Sequence, residues 1–200
     1  HINGLVDPMA LIIAQDRRII SMGRHDIMTM PLVGWFARRM GSQPVIRRSE
    51  INAGISGEEY ATKINHRTLL TMSNCLASGH NAIVMPEGKS HQDSRLHKFR
   101  TGAFRFALNA AVISKERGLP GPALQPIGLH YRCHYWFRTD VFVECPPPIP
   151  IESPTNSQVG MKLLDGKWLE PESESVIRNR DLLFQSLAEI GPEAPDWETY

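Results

Sequence analysis

Cysteine, long apolar runs and net charge are all scarce in this sequence. Its three cysteines, Cys75, Cys133 and Cys145, lie far apart without paired spacing. This argues against a disulfide framework or a cysteine-based zinc site and fits a reducing compartment. No apolar run approaches the roughly 18 residues of a membrane span, and no signal peptide is visible. The formal net charge of +1 gives no indication of a nucleic-acid partner.

The sequence does contain enough apolar residues for a core, and its helix and strand patterns alternate. Apolar residues make up 42% of the 200 positions and charged residues 22%, which is typical of a globular chain. This alternation predicts an α/β layered domain with a mostly parallel or mixed central sheet flanked by helices. The predicted helices start near residue 8 and cover 27–41, 56–79, 100–118 and 174–191; the predicted strands cover 18–22, 43–47, 81–88, 122–131 and 138–149.

A proline-rich stretch divides the chain into two predicted parts. Prolines recur between Pro146 and Pro154, where neither a helix nor a central strand is favoured. We therefore expect a core at 1–150, followed at 151–200 by a proline-rich linker and a C-terminal helix. No internal repeat is found.

The first eight residues, HINGLVDP, carry a histidine and an aspartate at short range. Within one helix, His1 and Asp7 would lie well off a common face. The Asn3-Gly4 turn would instead let the chain fold back, so that Asp7 fixes the imidazole tautomer and the other ring nitrogen acts as a general base. Asp7 could equally be the N-cap of a helix that starts at Pro8, and the two roles are compatible.

Basic residues cluster at the end of one predicted helix and along the next predicted strand. Arg47 and Arg48 would alternate in facing along the strand at 43–47, so that one of them could bind phosphate at a cleft. The alternative is an edge-strand charge that discourages aggregation. Likewise, Arg38 and Arg39 are either a solvated helix face or a contact to phosphate or an anionic membrane surface.

A buried strand that ends in Pro-Glu-Gly precedes a loop rich in cations. Glu87 would accept hydrogen bonds from a hydroxylated substrate, and Gly88 would allow a ligand to approach closely. Lys89 and Ser90 begin the loop, which suits an anionic head group. An ordinary polar loop is the alternative interpretation.

The same loop carries His91, Asp93 and His97, whose spacing is plausible for a metal site. No further histidine or cysteine pair completes a ligand set, and many cations are near. We therefore expect no metal.

Taken in order, these stretches resemble the sequence blocks of the glycerolipid acyltransferase family, which includes glycerol-3-phosphate and lysophosphatidate acyltransferases. His1 and Asp7 resemble its first block, although five residues separate them where four are usual. Arg47 matches the arginine of the second block, Pro-Val-x-Arg, and the strand around Pro126 matches the fourth block.

The third block shows which branch of this family the sequence is closest to. Glu87 and Gly88 match the family's Phe-Pro-Glu-Gly-Thr-Arg-Ser, whereas Met85, Lys89 and Ser90 replace its Phe, Thr and Arg. The sequence is similar here to the "PEGxSH" form of the yeast-type and bacterial branch. Altogether the resemblance covers about residues 1–150.

The resemblance implies a glycerol-phosphate acyltransferase fold and transfer of a fatty acyl group to glycerol-3-phosphate or lysophosphatidate in phospholipid biosynthesis. It implies that His1 is the base and Asp7 orients it, and that Arg47 and the loop that begins with Lys89 and Ser90 hold the phosphate. It further implies that Glu87 and Gly88 shape the glycerol pocket. Acyl-CoA or acyl-carrier protein would be the co-substrate, without a cofactor.

The resemblance also implies a membrane-associated protein with its catalytic domain on the cytoplasmic side. We expect the chain to be cut off at its N-terminus close to the catalytic histidine. One alternative is a catalytically inactive phospholipid-binding or scaffold domain of the same fold. A hydrolase that uses the same pair on water ranks lower, because no Gly-x-Ser-x-Gly nucleophile turn occurs.

Overall fold

The computed structural model describes residues 6–13, 19–52, 54, 57–89, 91, 93, 95–133, 139–153 and 157–191. Helices and strands alternate along it, which confirms the predicted α/β class. The helices are α1 (Val6–Ile13), α2 (His25–Thr29), α3 (Pro31–Arg39), α4 (Arg48–Asn52), α5 (Glu58–Ala77), α6 (Gly102–Glu116), α7 (Ser157–Leu164) and α8 (Ser173–Ile190). The strands are β1 (Ile19–Arg24), β2 (Ser42–Val45), β3 (Asn81–Ile83), β4 (Ala123–Leu124), β5 (Gly128–Tyr131), β6 (Val141–Glu144) and β7 (Ile149–Pro150).

The central sheet is parallel, as predicted. Its strand order is β2-β1-β3, with both neighbouring pairs parallel. Ser21 of β1 pairs with Ser42 of β2, and their hydroxyl oxygens lie 2.8 Å apart. Two antiparallel pairs, β4 with β7 and β5 with β6, lie outside this sheet. Because the carboxyl ends of parallel strands open on one edge, loops that follow them can share a site.

Helix α6 is the centre of the core. Every residue from Phe106 to Ser114 is buried, as expected for a helix that is covered on all sides. Helix α5 packs against it, and the Ser73 hydroxyl lies 2.9 Å from the carbonyl oxygens of both Leu69 and Phe106. A polar side chain in this contact is thus satisfied by backbone acceptors, which avoids the cost of a buried unpaired hydroxyl.

The predicted single helix at 27–41 is in fact two helices. Met30 has an extended backbone (φ −65°, ψ 136°) between α2 and α3, because Pro31 disfavours the helical conformation of the residue before it. Arg38 donates a hydrogen bond of 2.5 Å to the carbonyl oxygen of Met28. This bond pairs an acceptor at the end of α2 and fixes the angle between the two helices.

The predicted strand at 43–47 is too long. Strand β2 ends at Val45, and α4 begins at Arg48, so Arg47 and Arg48 do not alternate along a strand. The Glu50 carboxylate accepts a hydrogen bond of 2.9 Å from the Arg47 backbone N–H. This is the return half of a capping box, with Glu three positions after the cap, and it explains the turn into a helix.

The predicted strands at 122–131 and 138–149 are each split in two. Pro126 lies between β4 and β5, and three consecutive prolines follow β6; proline cannot donate to a strand ladder. The C-terminal helix is present as predicted, and α8 packs on α6. Phe184 of α8 contacts Phe99 edge-on, with 5.2 Å between ring centroids. Within the described ranges, no helix has the length and apolar character needed to cross a membrane.

Candidate active site

A cavity of about 640 Å³ lies alongside β3 and the turn that follows it. Its walls come from α1, β3 with the turn and loop after it, α6, strands β4 to β6 and the end of α8. This volume is within the range of small-molecule sites. Apolar side chains of the wall come from β3 and the segment after it, from α6 and from α8, and polar ones from α1, β5 and the loop after β3.

Asp7 is the buried carboxylate in this wall. It lies in the first turn of α1, one residue after the helix starts, and is only 1% exposed. A carboxylate in the first turn is favoured by the helix dipole, but its burial next to a cavity exceeds what a surface cap needs. His1, its predicted partner, lies outside the described residues.

Tyr131 binds Asp7 across 124 positions of sequence. Its hydroxyl donates a 2.5 Å hydrogen bond to Oδ1 of Asp7 from the end of β5. Burial and the nearby Asp7 carboxylate raise the pKa of Tyr131 above its ordinary value, so the phenol stays protonated and continues to donate. No motif distinguishes Tyr131 in the sequence, because its strand has the pattern of a core strand.

Glu87 is the second buried carboxylate of the cavity wall, with 6% exposure. It lies in the turn after β3 and is bonded to the side chain of His91, and its Oε2 also accepts a hydrogen bond of 3.3 Å from the backbone N–H of His97. The Arg100 N–H donates to the Pro86 carbonyl at 2.7 Å. These bonds fix the loop, so Glu87 is held rigidly at the edge of the sheet.

The other predicted substrate-binding residues are not brought together with Asp7 and Glu87. Among the residues that the structure describes, Arg47, Gly88 and Lys89 are all exposed and absent from the cavity wall. Ser90 lies outside the described residues. Gly88 has a φ of 70° and faces the side chain of Arg100, which a Cβ would approach to 3.0 Å. Their assignment to substrate therefore stays a prediction.

One cation of the loop after β3 does line the cavity. Arg95, in the loop after β3, is an exposed residue of its wall. Arg47 lies outside this wall. The residue before it, Ile46, is fixed to Asn65 of α5, which accepts from the Ile46 N–H at 2.9 Å and donates to the Ile46 carbonyl at 3.0 Å. Ser90 replaces the arginine of the family's third block, but the same loop still supplies a guanidinium, that of Arg95, to the cavity wall.

The site combines two fixed carboxylates, a protonated phenol that holds one of them, and an apolar compartment. Such an arrangement suits a reaction in which a carboxylate orients a base while an apolar chain is shielded from water. It therefore indicates an α/β enzyme whose cavity has both a polar and an apolar part.

The comparisons with known proteins agree with this class. The sequence model of the Acyltransferase family matches residues 1–129, so the chain belongs to the acyltransferase family. Its fold is similar to the crystal structure of the 1-acyl-sn-glycerophosphate (LPA) acyltransferase PlsC from Thermotoga maritima, with a TM-score of 0.51 and 17% identity. The match covers 95% of this chain and 64% of that protein. A search of curated proteins gave no match.

Proposed function

We propose that this chain transfers a fatty acyl group from acyl-CoA or acyl-carrier protein to a hydroxyl of glycerol-3-phosphate or lysophosphatidate. The observation that carries the proposal is the buried Asp7 carboxylate, bonded to Tyr131, in the wall of a cavity that is otherwise largely apolar. Membership of the acyltransferase family supports the reaction class.

In the proposed reaction, His1 takes the proton of the acceptor hydroxyl, and that oxygen attacks the thioester carbonyl. The C–S bond breaks, and the leaving thiolate takes the proton back from the imidazolium. Asp7 orients the imidazole and stabilises its charge. Tyr131 would keep one carboxylate oxygen fixed, so that Asp7 cannot rotate away.

The apolar part of the cavity is the proposed acyl-chain compartment. Its wall includes two small side chains of α6, Ala103 and Ala107, and two leucines of α8, Leu183 and Leu187. Apolar surface of an acyl chain gains about 0.8 kcal/mol for each buried methylene. This compartment therefore supports a long-chain donor.

An acyl-transfer assay tests the proposal. With a palmitoyl thioester as donor, we expect free thiol to be released only when a phosphorylated glycerol acceptor is added. Thiol release at the same rate without any acceptor would instead indicate a hydrolase. Bound phospholipid with no thiol release under any condition would favour the catalytically inactive lipid-binding domain.

Comparison of two arginine variants tests which cation binds the phosphate of the acceptor. The cavity wall favours Arg95, whereas the family resemblance favours Arg47. We expect Arg95→Ala to raise the KM for the phosphorylated acceptor about tenfold or more, as expected when one charge-assisted hydrogen bond is lost. The KM for the acyl donor should change less than twofold.

Arg47→Ala serves as the matched comparison in the same steady-state assay, since it removes an exposed guanidinium outside this wall. A larger acceptor effect for Arg47→Ala than for Arg95→Ala would place the phosphate outside the described cavity.

We also propose that the protein works at the cytoplasmic surface of a membrane, with α3 as the contact. Leu32, Trp35 and Phe36 of α3 are all more than half exposed, and Arg38 and Arg39 lie in its last turn. Exposed apolar residues next to cations are typical of interfacial helices. Trp35→Ser should lower the fraction that sediments with anionic phospholipid vesicles; an unchanged fraction would remove α3 from this role.

A further inference from the structure

Four side chains of the loop after β3 converge at one end of the cavity. Glu87, His91 and His97 each offer a ligand atom, and these atoms all lie within 4.8 Å of one another. Asp93 lies beside them, with its Oδ2 at 2.6 Å from Nε2 of His97 and 4.0 Å from Nδ1 of His91. The proposed acyl transfer gives no role to either imidazole.

The geometry points to a binding site for a divalent metal ion of the zinc class, with Glu87, His91 and His97 as ligands and Asp93 at its edge. Two ligands of a tetrahedral zinc ion lie about 3.3 Å apart, given metal–ligand distances near 2.0–2.1 Å. The ligand atoms of the cluster lie within 4.8 Å of one another, so rotation of the side chains can bring the three groups onto one ion. Imidazole and carboxylate are ligands that zinc accepts without cysteine.

Burial strengthens this inference. Glu87 is 6% exposed and the side chain of His91 11%. The Nδ1 atom of His91 is buried with no hydrogen-bond partner among the described residues, and such an atom is costly unless it binds something. The His91 and His97 rings stack with 3.8 Å between centroids and 13° between planes, so the two imidazoles are neighbours, and one ring must rotate out of the stack for both to bind one ion.

Charge distinguishes a cation from an anion at this place. Two carboxylates, those of Glu87 and Asp93, lie within hydrogen-bond or ion-pair distance of the two imidazoles. They would attract a cation between the imidazoles.

The fold also explains why spacing alone does not identify the site. The sequence suggests His91, Asp93 and His97 as an incomplete set, and the expectation of no metal rests on the missing further ligand and on the many cations nearby. The turn after β3 brings Glu87, four positions before His91, into the cluster. Because Glu87, His91 and Asp93 also line the cavity, a bound ion would stiffen the loop next to the active site.

The test is zinc binding by the full chain after removal of metal with a chelator. Calorimetric titration with zinc chloride alone should show one equivalent bound, with a rise in Tm that grows with zinc concentration. His97→Gln and His91→Gln should each weaken zinc binding by at least about 10- to 100-fold, the loss that even an outer-shell partner causes, and should abolish the zinc-dependent rise in Tm.

His66→Gln is the matched control, because His66 also lies within 4.0 Å of a carboxylate, Glu170, but outside the cluster. It should bind zinc like the wild type. The proposal is overturned if the wild type binds no zinc, or if both cluster variants bind it as tightly as His66→Gln does. Zinc binding and Tm are measured without acyl transfer, so failure of the zinc proposal can be distinguished from failure of the proposed function.

Discussion

Replacing Asp7 with Asn is expected to lower kcat for acyl transfer by about 10²- to 10⁴-fold, the contribution typical of general-base catalysis. Asn keeps the size of Asp but has no charge to stabilise an imidazolium. It can also hold a histidine partner in the wrong tautomer. Because Asp7 is 1% exposed, water cannot replace the lost carboxylate.

Thiol release at saturating donor and acceptor measures this effect. Asp26→Asn is the matched control: it removes a carboxylate that pairs with Arg24 on the surface and should keep wild-type activity. A circular dichroism melt of each variant verifies that it is folded. An Asp7→Asn enzyme within twofold of the wild-type kcat would remove Asp7 from the mechanism.

The second large effect is expected from Tyr131→Phe, with kcat lower by about ten- to a hundredfold. The substitution removes only the hydroxyl that donates to Asp7, and a hydrogen bond to a charged group is worth about 1.5–3 kcal/mol. Because Tyr131 acts through Asp7 and not on substrate, both KM values should stay within about twofold. Steady-state kinetics with each substrate varied in turn gives this separation.

Two comparisons distinguish positioning from a merely structural role. Tyr60→Phe removes the hydroxyl of an exposed tyrosine and should leave kcat unchanged. In an Asp7→Asn background, Tyr131→Phe should have little further effect, since the two residues act as one unit. An additive loss in the double variant would contradict the positioning role.

The pH dependence of the free energy of unfolding should also reflect the hydrogen bond between Tyr131 and Asp7. The pKa of Tyr131 is raised in the folded state by burial and by Asp7, whereas a free tyrosine titrates near 10. The stabilisation is therefore fully present below about pH 10 and is lost as the pH rises further. Urea unfolding at pH 8 and 10.5 should show a larger loss for the wild type than for Tyr131→Phe; equal losses would contradict this assignment.

Local signals predicted much of the fold. Helix α5 ends just before Gly79 and α6 just before Gly118, and both glycines have a positive φ, which glycine adopts at little cost. The break between α2 and α3 at Pro31 and the helix cap formed by Glu50 also have local signals in the sequence. The helix predicted at 27–41 followed the apolar pattern and overlooked the proline. The strand predicted at 43–47 followed the basic pattern and overlooked the glutamate.

The site was less predictable, because its contacts join distant segments. Periodicity indicates that Tyr131 lies on a strand, but not that the strand ends beside Asp7. Glu87 was predicted to bind substrate, and its contact with His91 depends on a turn whose geometry no spacing rule gives. The sequence thus suggests which residues could carry chemistry, and the fold determines which of them meet.

The position of α8 in the cavity wall has a consequence for donor selectivity. Leu183, Leu187 and Ile190 recur along one face of this helix and all line the cavity, and they span about 10 Å along its axis. With the acyl chain in this cavity, bulkier or smaller residues at these positions would set the longest fatty acid that fits. Helix α8 lies outside the family match at residues 1–129, so chain-length preference can diverge between related proteins while the reacting groups stay the same.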